Sequence, residues 1–542
     1  MASVPAGSAP ASGVARSGAT FLGHPIGLFL LFIVEMWERF SYYGMRGLLV
    51  LYLMQSTQGD EKGLNPGRGW TEGEANNLYG WYTGLAYLFP IFGGMVADKF
   101  IGTHRSMLVG GTLIAIGHII LGISGIGALA EDAFGMSIFI TGLAVIVLGT
   151  GHFKPTVSVM VGQLYEQGDP RRDGAFTIFY MGINLGAFLC AFVCGTLGEQ
   201  VGWHWGFASA AVGMILGMIV YLIGRPLYLA GIGEAPRADA TRYSLMFLSL
   251  SLSLAALFGW IYHMGALASL QDQVSAIWAK PALKWTISGA LTAAVLTWAT
   301  LFTLKNAPED RGPVVTILIF MLFNAFFWLA FEQAGSSINA FTKTKTDRLL
   351  PWLTFGGEPF EIPATWFQSV NAGLIFLLAP LFSWIWTTLA TRRKNPSQPM
   401  KIALGLFFLG VGYLFTVWAG KVAAPEGAKA AMWLIFATYF WHTVGELCLS
   451  PTGLSYVTKA APKQYVSLLM GLWFVSSFIA NLGGGLIASQ VEKVETGQIK
   501  LPWSFGGRAD FFFLFVVTSF GAATVVFALT PLLKKLMRSV ND

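Results

Sequence analysis

Long apolar runs separated by short polar connections fill nearly the whole chain. A helix that crosses the hydrocarbon core of a bilayer needs about 17–25 predominantly apolar residues, and each run reaches that length. The pattern predicts about fourteen membrane-spanning helices, at residues 26–54, 76–97, 105–126, 137–163, 174–196, 205–225, 244–264, 285–304, 313–337, 364–390, 401–419, 428–459, 464–488 and 510–534. An even number of crossings places both chain ends on the same side of the membrane.

The basic residues indicate which side this is. They concentrate in alternate connections and near the C-terminus, at Lys99, Arg105, Arg171, Arg172, Arg392, Arg393, Lys394, Lys459, Lys463, Lys534, Lys535 and Arg538. The opposite connections are acidic or mixed, although Lys280 and Lys284 depart from this pattern. Because cytoplasmic loops carry the excess of Lys and Arg, the sequence predicts a multi-pass protein of the cell inner membrane with both termini in the cytoplasm.

The composition agrees with a protein whose solvent is the lipid bilayer. Hydrophobic residues make up 54% of the chain and charged residues 11%, against about 25% charged residues in soluble domains. The net charge of +6 resides in the short loops, so we expect no nucleic-acid partner. The three cysteines lie within apolar runs without the spacing of a metal site or a disulfide framework, and no metal or cofactor is expected.

The first six and the last six predicted helices carry polar residues and prolines in matching positions. Lys154-Pro155 on the fourth helix matches Glu446 and Ser450-Pro451 on its counterpart. Matched, interrupted helices indicate two structural repeats with a binding site between them near the bilayer midplane. The predicted organisation is a disordered cytoplasmic tail at 1–24, a six-helix bundle at 25–226, a linker with two extra membrane helices at 227–311, a second six-helix bundle at 312–534 and a cytoplasmic tail at 535–542.

The first helix carries ionisable residues near the middle of the bilayer. At about 100° per residue, one arc of roughly 100° holds Glu35, Glu38, Arg39, Tyr42 and Arg46. Charged residues at this depth are costly and mark functional sites by default. A packing ion-pair network is the alternative, but the two arginines and Lys154 outnumber the two carboxylates of this stripe.

Tyr43 on the same helix, and residues of other predicted helices, contribute further polar or aromatic groups at comparable depth. These are Tyr43, Tyr87, Lys154, Asn184, Trp328, Glu332, Asn371, Glu446, Trp473 and Ser477. The alternative role of the amides and of Ser477 is hydrogen bonding between helices, and that of the charged residues is structural ion pairing. Lone charges on separate apolar helices nevertheless favour a polar cavity between the repeats.

Several motifs resemble those of one transporter family. Gly93-Gly-Met-Val-Ala-Asp98-Lys99-Phe-Ile-Gly102-Thr-His-Arg105 resembles the loop motif of the major facilitator superfamily. The chain is further similar to the proton-coupled oligopeptide transporters (the POT/PTR family of that superfamily) in four stretches: Glu35-Met-Trp-Glu38-Arg39-Phe-Ser-Tyr-Tyr-Gly, Gly149-Thr-Gly-His-Phe-Lys154-Pro155, Phe179-Tyr180-Met-Gly-Ile-Asn184-Leu-Gly186 and Phe327-Trp328-Leu-Ala-Phe-Glu332-Gln333-Ala-Gly-Ser336-Ser337. Ala187, Thr150, Thr156 and His152 depart from the usual family residues. The resemblance implies an all-α major facilitator fold, two six-helix bundles plus two inserted helices, that moves di- and tripeptides.

A short peptide is a zwitterion, so its site needs cations in one half and anions or carbonyls in the other. Arg39, Arg46 and Lys154 are the candidate partners of the peptide carboxylate, because arginine binds carboxylates through two parallel hydrogen bonds. The candidate partners of the amino end and backbone are Glu446, Asn184 and Asn371, with Ser477 beside them. Aromatic side chains would form tolerant pockets, namely Tyr42, Tyr43, Tyr87, Trp328 and Trp473. The resemblance implies the same assignment.

Coupling to protons requires a carboxylate whose ionic partner changes with conformation. We expect Glu332 to pair with Arg46 and close the extracellular side until Glu332 is protonated. A second exchange would involve Glu35 and Glu38 with Arg39 and Lys154. The proton gradient then replaces any cofactor, and one chain with two repeats is expected to function as a monomer.

Rival functions remain at this stage. The nearest is proton-coupled transport of nitrate or another small anion on the same scaffold, which would not need Glu446 for an ammonium group. An intramembrane hydrolase would need paired aspartates, a serine with a basic partner, or paired histidines as metal ligands, and the predicted spans contain none of these sets. A receptor or scaffold would not explain cations in one half opposite carboxylates in the other. The sequence therefore predicts a transporter rather than an enzyme.

Overall fold

A computed structural model describes residues 19–537 apart from 61, 62, 64, 167 and 356. Within this part of the chain, fourteen helices have 19 residues or more, and each covers one of the predicted spans. The all-α fold predicted from the sequence is therefore confirmed.

The first half consists of six long helices. They are α1 (Ile26–Met54), α2 (Glu72–Val96), α3 (Gly102–Ile123), α4 (Ala133–Gln163), α5 (Arg172–Cys190) and α6 (Trp203–Tyr228). A capping box starts α2, since the Thr71 side chain accepts from the Glu74 backbone and the Glu74 carboxylate accepts from the Thr71 backbone. Wider π-helical turns at Ala97–Ile101, Ala191–Gly195 and Leu197–Val201 prolong α2 and α5.

Three helices lie between the halves, where the sequence predicts two. They are α7 (Ala240–His263), α8 (Ala266–Trp278) and α9 (Pro281–Lys305). The unpredicted α8 has 13 residues, too few to span a bilayer, and the apolar-run criterion could not register it. The α7 helix packs beside α3 and α4 through Ala255, whereas Phe302 is the buried residue of α9.

The second half contains six long and two short helices. They are α10 (Pro308–Phe331), α11 (Ser337–Lys345), α12 (Gln368–Thr391), α13 (Gln398–Val422), α14 (Met432–Ala460), α15 (Val466–Ala488), α16 (Val491–Glu495) and α17 (Ala509–Leu536). A 3₁₀ turn at Glu332–Gly335 separates α10 from α11, so the predicted span at 313–337 is a broken helix. This break places Glu332 at the point where the helical backbone is interrupted.

Short strands lie only in connections of the described chain. They are β1 (Thr20–Phe21), β2 (His24–Pro25), β3 (Thr346–Asp347), β4 (Leu349–Phe355), β5 (Glu358–Glu361) and β6 (Ala430–Ala431). The pairs β1–β2 and β4–β5 are antiparallel, and β3–β6 is parallel.

The start of the described chain corrects part of the predicted disordered tail. Residues 20–25 form a tight hairpin, and the positive φ angles of Leu22 (50°) and Gly23 (78°) match the turn type that joins two strands directly. His24 Nδ1 lies 2.8 Å from the Tyr165 hydroxyl, which ties the hairpin to the end of α4. The rest of that tail, residues 1–18, and residues 538–542 of the predicted C-terminal tail lie outside the described residues.

Eleven stretches of the described chain are long and apolar enough to cross a membrane, and one of them holds both α2 and α3. The charges of α1 keep it outside this set although it has 29 residues. Most buried apolar residues fall into separate clusters in each half. The halves meet closely at one seam, where a Cβ added to Gly80 of α2 would lie 2.8 Å from Gly485 Cα of α15.

Candidate binding cavity between the two halves

A cavity of about 240 Å³ lies between the halves, with walls from α1, α5, α10, α12 and α14. Seven residues singled out by the sequence line it: Tyr43, Arg46, Asn184, Trp328, Glu332, Asn371 and Glu446. The predicted interface between two repeats therefore contains a real cavity with basic and acidic groups in its wall.

Arg46 of α1 and Glu332 of the broken α10 meet across the halves. Arg46 Nη2 lies 2.6 Å from Glu332 Oε2, and both side chains are at most 7% exposed. The Arg46 guanidinium also lies 5.4 Å from the centre of the Tyr43 ring, within cation–π range. Each charge therefore neutralises the other away from water, and removal of either charge would leave its partner buried without an opposite charge.

Glu446 occupies a different environment on α14. Asn371 of α12 donates to Glu446 Oε2 at 2.9 Å, and the Tyr180 hydroxyl of α5 donates to Oε1 at 3.5 Å. Among the described residues, no Lys, Arg or His side chain makes an ion pair with Glu446. The cavity therefore presents a carboxylate held by neutral donors, with no cationic side chain of the described chain paired to it.

The start of the α1 stripe forms a local ion pair instead of reaching across the cavity. Arg39 Nε donates to Glu35 Oε1 at 2.8 Å and lies 3.0 Å from Glu38 Oε2. Arg46 lies seven positions after Arg39, about 10 Å along the helix. Neither Arg39 nor its carboxylates line the cavity.

Lys154 is placed differently from its predicted exchange with Glu35 and Glu38. Lys154 Nζ lies 3.3 Å from the centre of the Tyr87 ring, and the described residues offer it no carboxylate within 4 Å. Arg39 lies within ion-pair distance of both α1 carboxylates, and Lys154 instead has the Tyr87 ring face as an attractive contact, which does not cancel its charge. The contact with Tyr87 takes the place of the expected ion pair in this conformation.

Three further predicted residues lie outside the cavity wall. Tyr42 packs between Tyr43 and Tyr82, with ring centres 5.3 and 6.5 Å away. Trp473 contacts the apolar core of the second half, and the Ser477 hydroxyl donates to the Trp473 carbonyl at 3.4 Å. That hydrogen bond satisfies the Ser477 donor within its own helix, and Ser477 lies outside the cavity wall.

The cavity wall also contains residues that the sequence did not single out for the site, including Tyr180, Thr365, Gln368 and Tyr439. Tyr180 stands four residues before Asn184, and Gln368 three residues before Asn371, so each shares a helix face with a residue that was chosen. Helical spacing around Asn184 and Asn371 could have found both.

At one end of the molecule, further contacts join the halves. We define the outer end as the end where α1 finishes and α2 begins. There Arg508, just before α17, donates to both oxygens of Glu72, at 3.2 and 2.5 Å, and to Glu495 at 3.0 Å. The carboxylate of Glu492 accepts from the Glu72 backbone at 3.0 Å.

Glu199 makes a second outer contact between the halves. Its carboxylate lies 2.9 Å from Lys343 Nζ and accepts from the Thr365 backbone and hydroxyl, each at 2.9 Å. Within the described chain, every ion pair that joins the two halves lies at or toward the outer end. The structure is therefore closed at this end.

Two helical repeats that enclose a charged cavity, closed at one end, define a membrane transporter. The model of the POT family matches residues 104–503. The chain is 36% identical over 490 residues to the peptide transporter YePEPT of Yersinia enterocolitica, covering 88% of this chain and 89% of that protein. It is also 36% identical over 466 residues to the di-/tripeptide transporter of Lactococcus lactis subsp. cremoris, covering 85% and 88%.

Solved structures agree with this assignment. The crystal structure of a peptide transporter POT in complex with sulfate has a TM-score of 0.75 and 31% identity, covering 96% of this chain and 97% of that one. The chain belongs to the POT family. It is a multi-pass membrane peptide transporter and not an enzyme.

Proposed function

We propose that the protein imports di- and tripeptides together with protons by alternating access. One observation carries this proposal: the cavity wall contains two carboxylates with different partners. Glu332 makes an ion pair with Arg46, whereas Glu446 has no cation among the described residues. A zwitterionic peptide supplies an ammonium group for Glu446 and a carboxylate that can replace Glu332 as the partner of Arg46.

The amino end of the peptide binds Glu446 in this proposal. A buried carboxylate held only by neutral donors gains most from a cation that enters with its own hydrogen bonds. Asn371 orients the carboxylate, and Asn184, whose amide nitrogen donates to the Tyr180 carbonyl at 3.0 Å, faces the same cavity. Trp328 and Tyr43 supply apolar walls for peptide side chains.

The carboxylate of the peptide competes with Glu332 for Arg46. While Glu332 is ionised, it holds Arg46 at 2.6 Å and closes the cavity. A proton on Glu332 removes that attraction and frees the guanidinium for the peptide. Arg39 and Lys154 add positive potential nearby, with Glu35 and Glu38 as a second group of proton-linked carboxylates.

The proposal also includes the membrane in which the protein lies and its orientation there. The outer end faces the outside of a cell inner membrane, and both termini lie in the cytoplasm because the basic loops lie at the other end. The proton gradient is the energy source, without a cofactor. One chain supplies both halves of the cavity, so the monomer is the functional unit.

Uptake of labelled dialanine into proteoliposomes with an imposed proton gradient tests the proposal. We expect accumulation that collapses when a protonophore dissipates the gradient. Unlabelled dipeptides and tripeptides should compete, whereas free amino acids, tetrapeptides and nitrate should not. Competition by nitrate with no effect of dipeptides would instead support the anion-transporting alternative and contradict the proposal.

A Glu446→Gln variant is expected to bind dialanine at least 30-fold more weakly. Loss of one partner from a buried, hydrogen-bonded charge pair costs about 2 kcal/mol or more, and each 1.4 kcal/mol is a factor of about ten. The glutamine keeps the size of the side chain and the hydrogen bond with Asn371. Titration calorimetry on purified protein measures the effect, with Glu426→Gln in an exposed loop as the matched control. Equal affinities in the two variants would remove Glu446 from the site.

A further inference from the structure

The three helices inserted between the halves contribute no described residue to the cavity wall. With 24 and 25 residues, α7 and α9 are each long enough to cross the hydrocarbon core of a bilayer. The shorter α8 joins them through Gly265, whose φ of 71° ends α7, and through Pro281, the first residue of α9. Because α8 begins and finishes where a membrane-spanning helix ends, it lies at a surface of the bilayer.

Side-chain contacts place this surface at the outer end of the molecule. His263 Nδ1, at the end of α7, lies 3.1 Å from the Ser137 hydroxyl near the start of α4. Just before α4, the Asp132 carbonyl accepts from Arg68 at 3.0 Å, and Arg68 lies shortly before α2. The outer end is where α2 begins, so the connection from α7 to α9 lies at the leaflet of that end.

The α8 helix has one apolar face that the described protein does not cover. At about 100° per residue, an arc of about 100° holds Leu267, Leu270, Val274, Ile277 and Trp278. No residue of α8 is buried, and the last four of these side chains are 40–56% exposed. A short helix with an apolar face and a polar face, held at the bilayer surface, is typical of helices that lie in the plane of the membrane.

Two lysines follow this face directly. Lys280 precedes the first residue of α9, and Lys284 lies four residues later, one helical turn along. Both are exposed, and in the part of the chain that the structure describes neither has a carboxylate within 4 Å. They are also the lysines that depart from the charge pattern of the outer connections. Unpaired cations at the level of the lipid headgroups attract anionic lipids.

We propose that α8 lies in the plane of the membrane at the outer end, and that Lys280 and Lys284 bind the phosphate groups of anionic phospholipids there. The apolar face of α8 enters the boundary between headgroups and acyl chains. Trp278 and Trp285 lie close to the lysines in the chain, and indole rings favour this boundary. Lipid is the occupant because α7 and α9 hold the face at the bilayer surface, where a second protein would first have to displace lipid.

Full-length protein in phosphatidylcholine nanodiscs tests the position of α8. A fluorophore is attached at Val274→Cys on the apolar face and, in a second variant, at Ser269→Cys, about 140° away around the helix. The native cysteines are buried, and wild-type protein taken through the same labelling gives the background. Phosphatidylcholine with brominated acyl chains should quench the label at Val274→Cys, whereas iodide in the water should quench the label at Ser269→Cys.

Brominated phosphatidylglycerol, compared with brominated phosphatidylcholine, tests the two lysines. A lysine near the membrane surface favours anionic lipid by about fivefold, so phosphatidylglycerol should compete for the site near the Val274→Cys label at least about fivefold better. Lys280→Gln/Lys284→Gln should bring this ratio close to one. Lys534→Gln/Lys535→Gln changes an exposed pair at the end of α17, at the opposite end of the molecule, and should keep the preference as the matched control.

Three outcomes would contradict the proposal. Quenching of both labels by iodide, with no effect of brominated lipid, would overturn the position of α8 in the membrane plane. A label at Val274→Cys that neither quencher reaches would overturn it as well, because protein, for example a second copy of the chain, would then cover the face. Equal quenching by the two brominated lipids before the lysines are changed would overturn the role of Lys280 and Lys284.

Discussion

A Glu332→Gln variant is expected to lose proton-driven accumulation of dialanine while it still exchanges peptide across the membrane. Glutamine has nearly the shape of glutamate but cannot take up and release a proton. Arg46, which lies 2.6 Å from the Glu332 carboxylate, then remains free of its anionic partner in every conformation. The opening of the cavity therefore no longer depends on the proton, and the gradient cannot drive uptake.

Two assays on the same proteoliposomes distinguish proton-driven accumulation from peptide exchange. Gradient-driven uptake should fall to the level of empty vesicles, and counterflow, in which internal unlabelled dialanine drives entry of labelled dialanine, should persist. Glu309→Gln is the matched control, because Glu309 is exposed in the first turn of the same helix, α10. Gradient-driven accumulation at the wild-type level in the Glu332 variant would remove Glu332 from the coupling mechanism.

The charged residues that the sequence singled out share one physical property. Glu35, Arg39, Arg46 and Glu332 stand in apolar helices, where a charge is costly and therefore conspicuous. Helical periodicity places the α1 residues on one face, and the need to neutralise buried charge indicates Arg46 as a partner of Glu332. Helix number and approximate span followed from the length of the apolar runs.

The features that were not predicted depend mostly on tertiary contacts, and no periodic pattern in the sequence indicates them. Glu72 lies in the first turn of α2, where an acidic residue is expected from the helix dipole alone, so its contact with Arg508, 436 positions away, was not predicted. The break at Glu332–Gly335 follows no proline, and α8 is too short for the hydrophobic criterion. Lys154 lies against Tyr87, and Arg39 pairs with both neighbouring carboxylates. The sequence does not indicate which of the two cations pairs with these carboxylates, because this depends on how the helices pack.

The outer contacts limit what the proton can do by itself. Arg46–Glu332 is one of three ion pairs that join the halves in the described chain, together with Glu72–Arg508 and Glu199–Lys343. Protonation of Glu332 weakens the first and leaves the other two in place. The free energy of opening therefore depends on one proton-sensitive ion pair at the cavity and on two ion pairs at the outer end.

An Arg508→Gln variant is expected to shift the protein toward the state that is open at the outer end. The Glu72 side chain is 1% exposed, and without Arg508 its charge stays buried in the closed state but reaches water in the open state. Loss of one partner from a buried ion pair costs about 3 kcal/mol or more, which corresponds to roughly a 100-fold change in the ratio of the two states.

Cys190, a native cysteine in the cavity wall, reports this shift. A membrane-impermeant maleimide added from outside should label Cys190 much faster in Arg508→Gln than in the wild type, as measured by mass spectrometry of its peptide. The double variant Glu72→Gln/Arg508→Gln should return toward the wild-type rate, because a neutral pair carries no uncompensated charge. Glu234→Gln breaks the exposed pair with Arg225 and should have no effect, since surface pairs contribute little. Wild-type labelling in the single variant would mean that Arg46–Glu332 and Glu199–Lys343 suffice to hold the outer end closed, and Glu72–Arg508 would then be a packing contact of the seam.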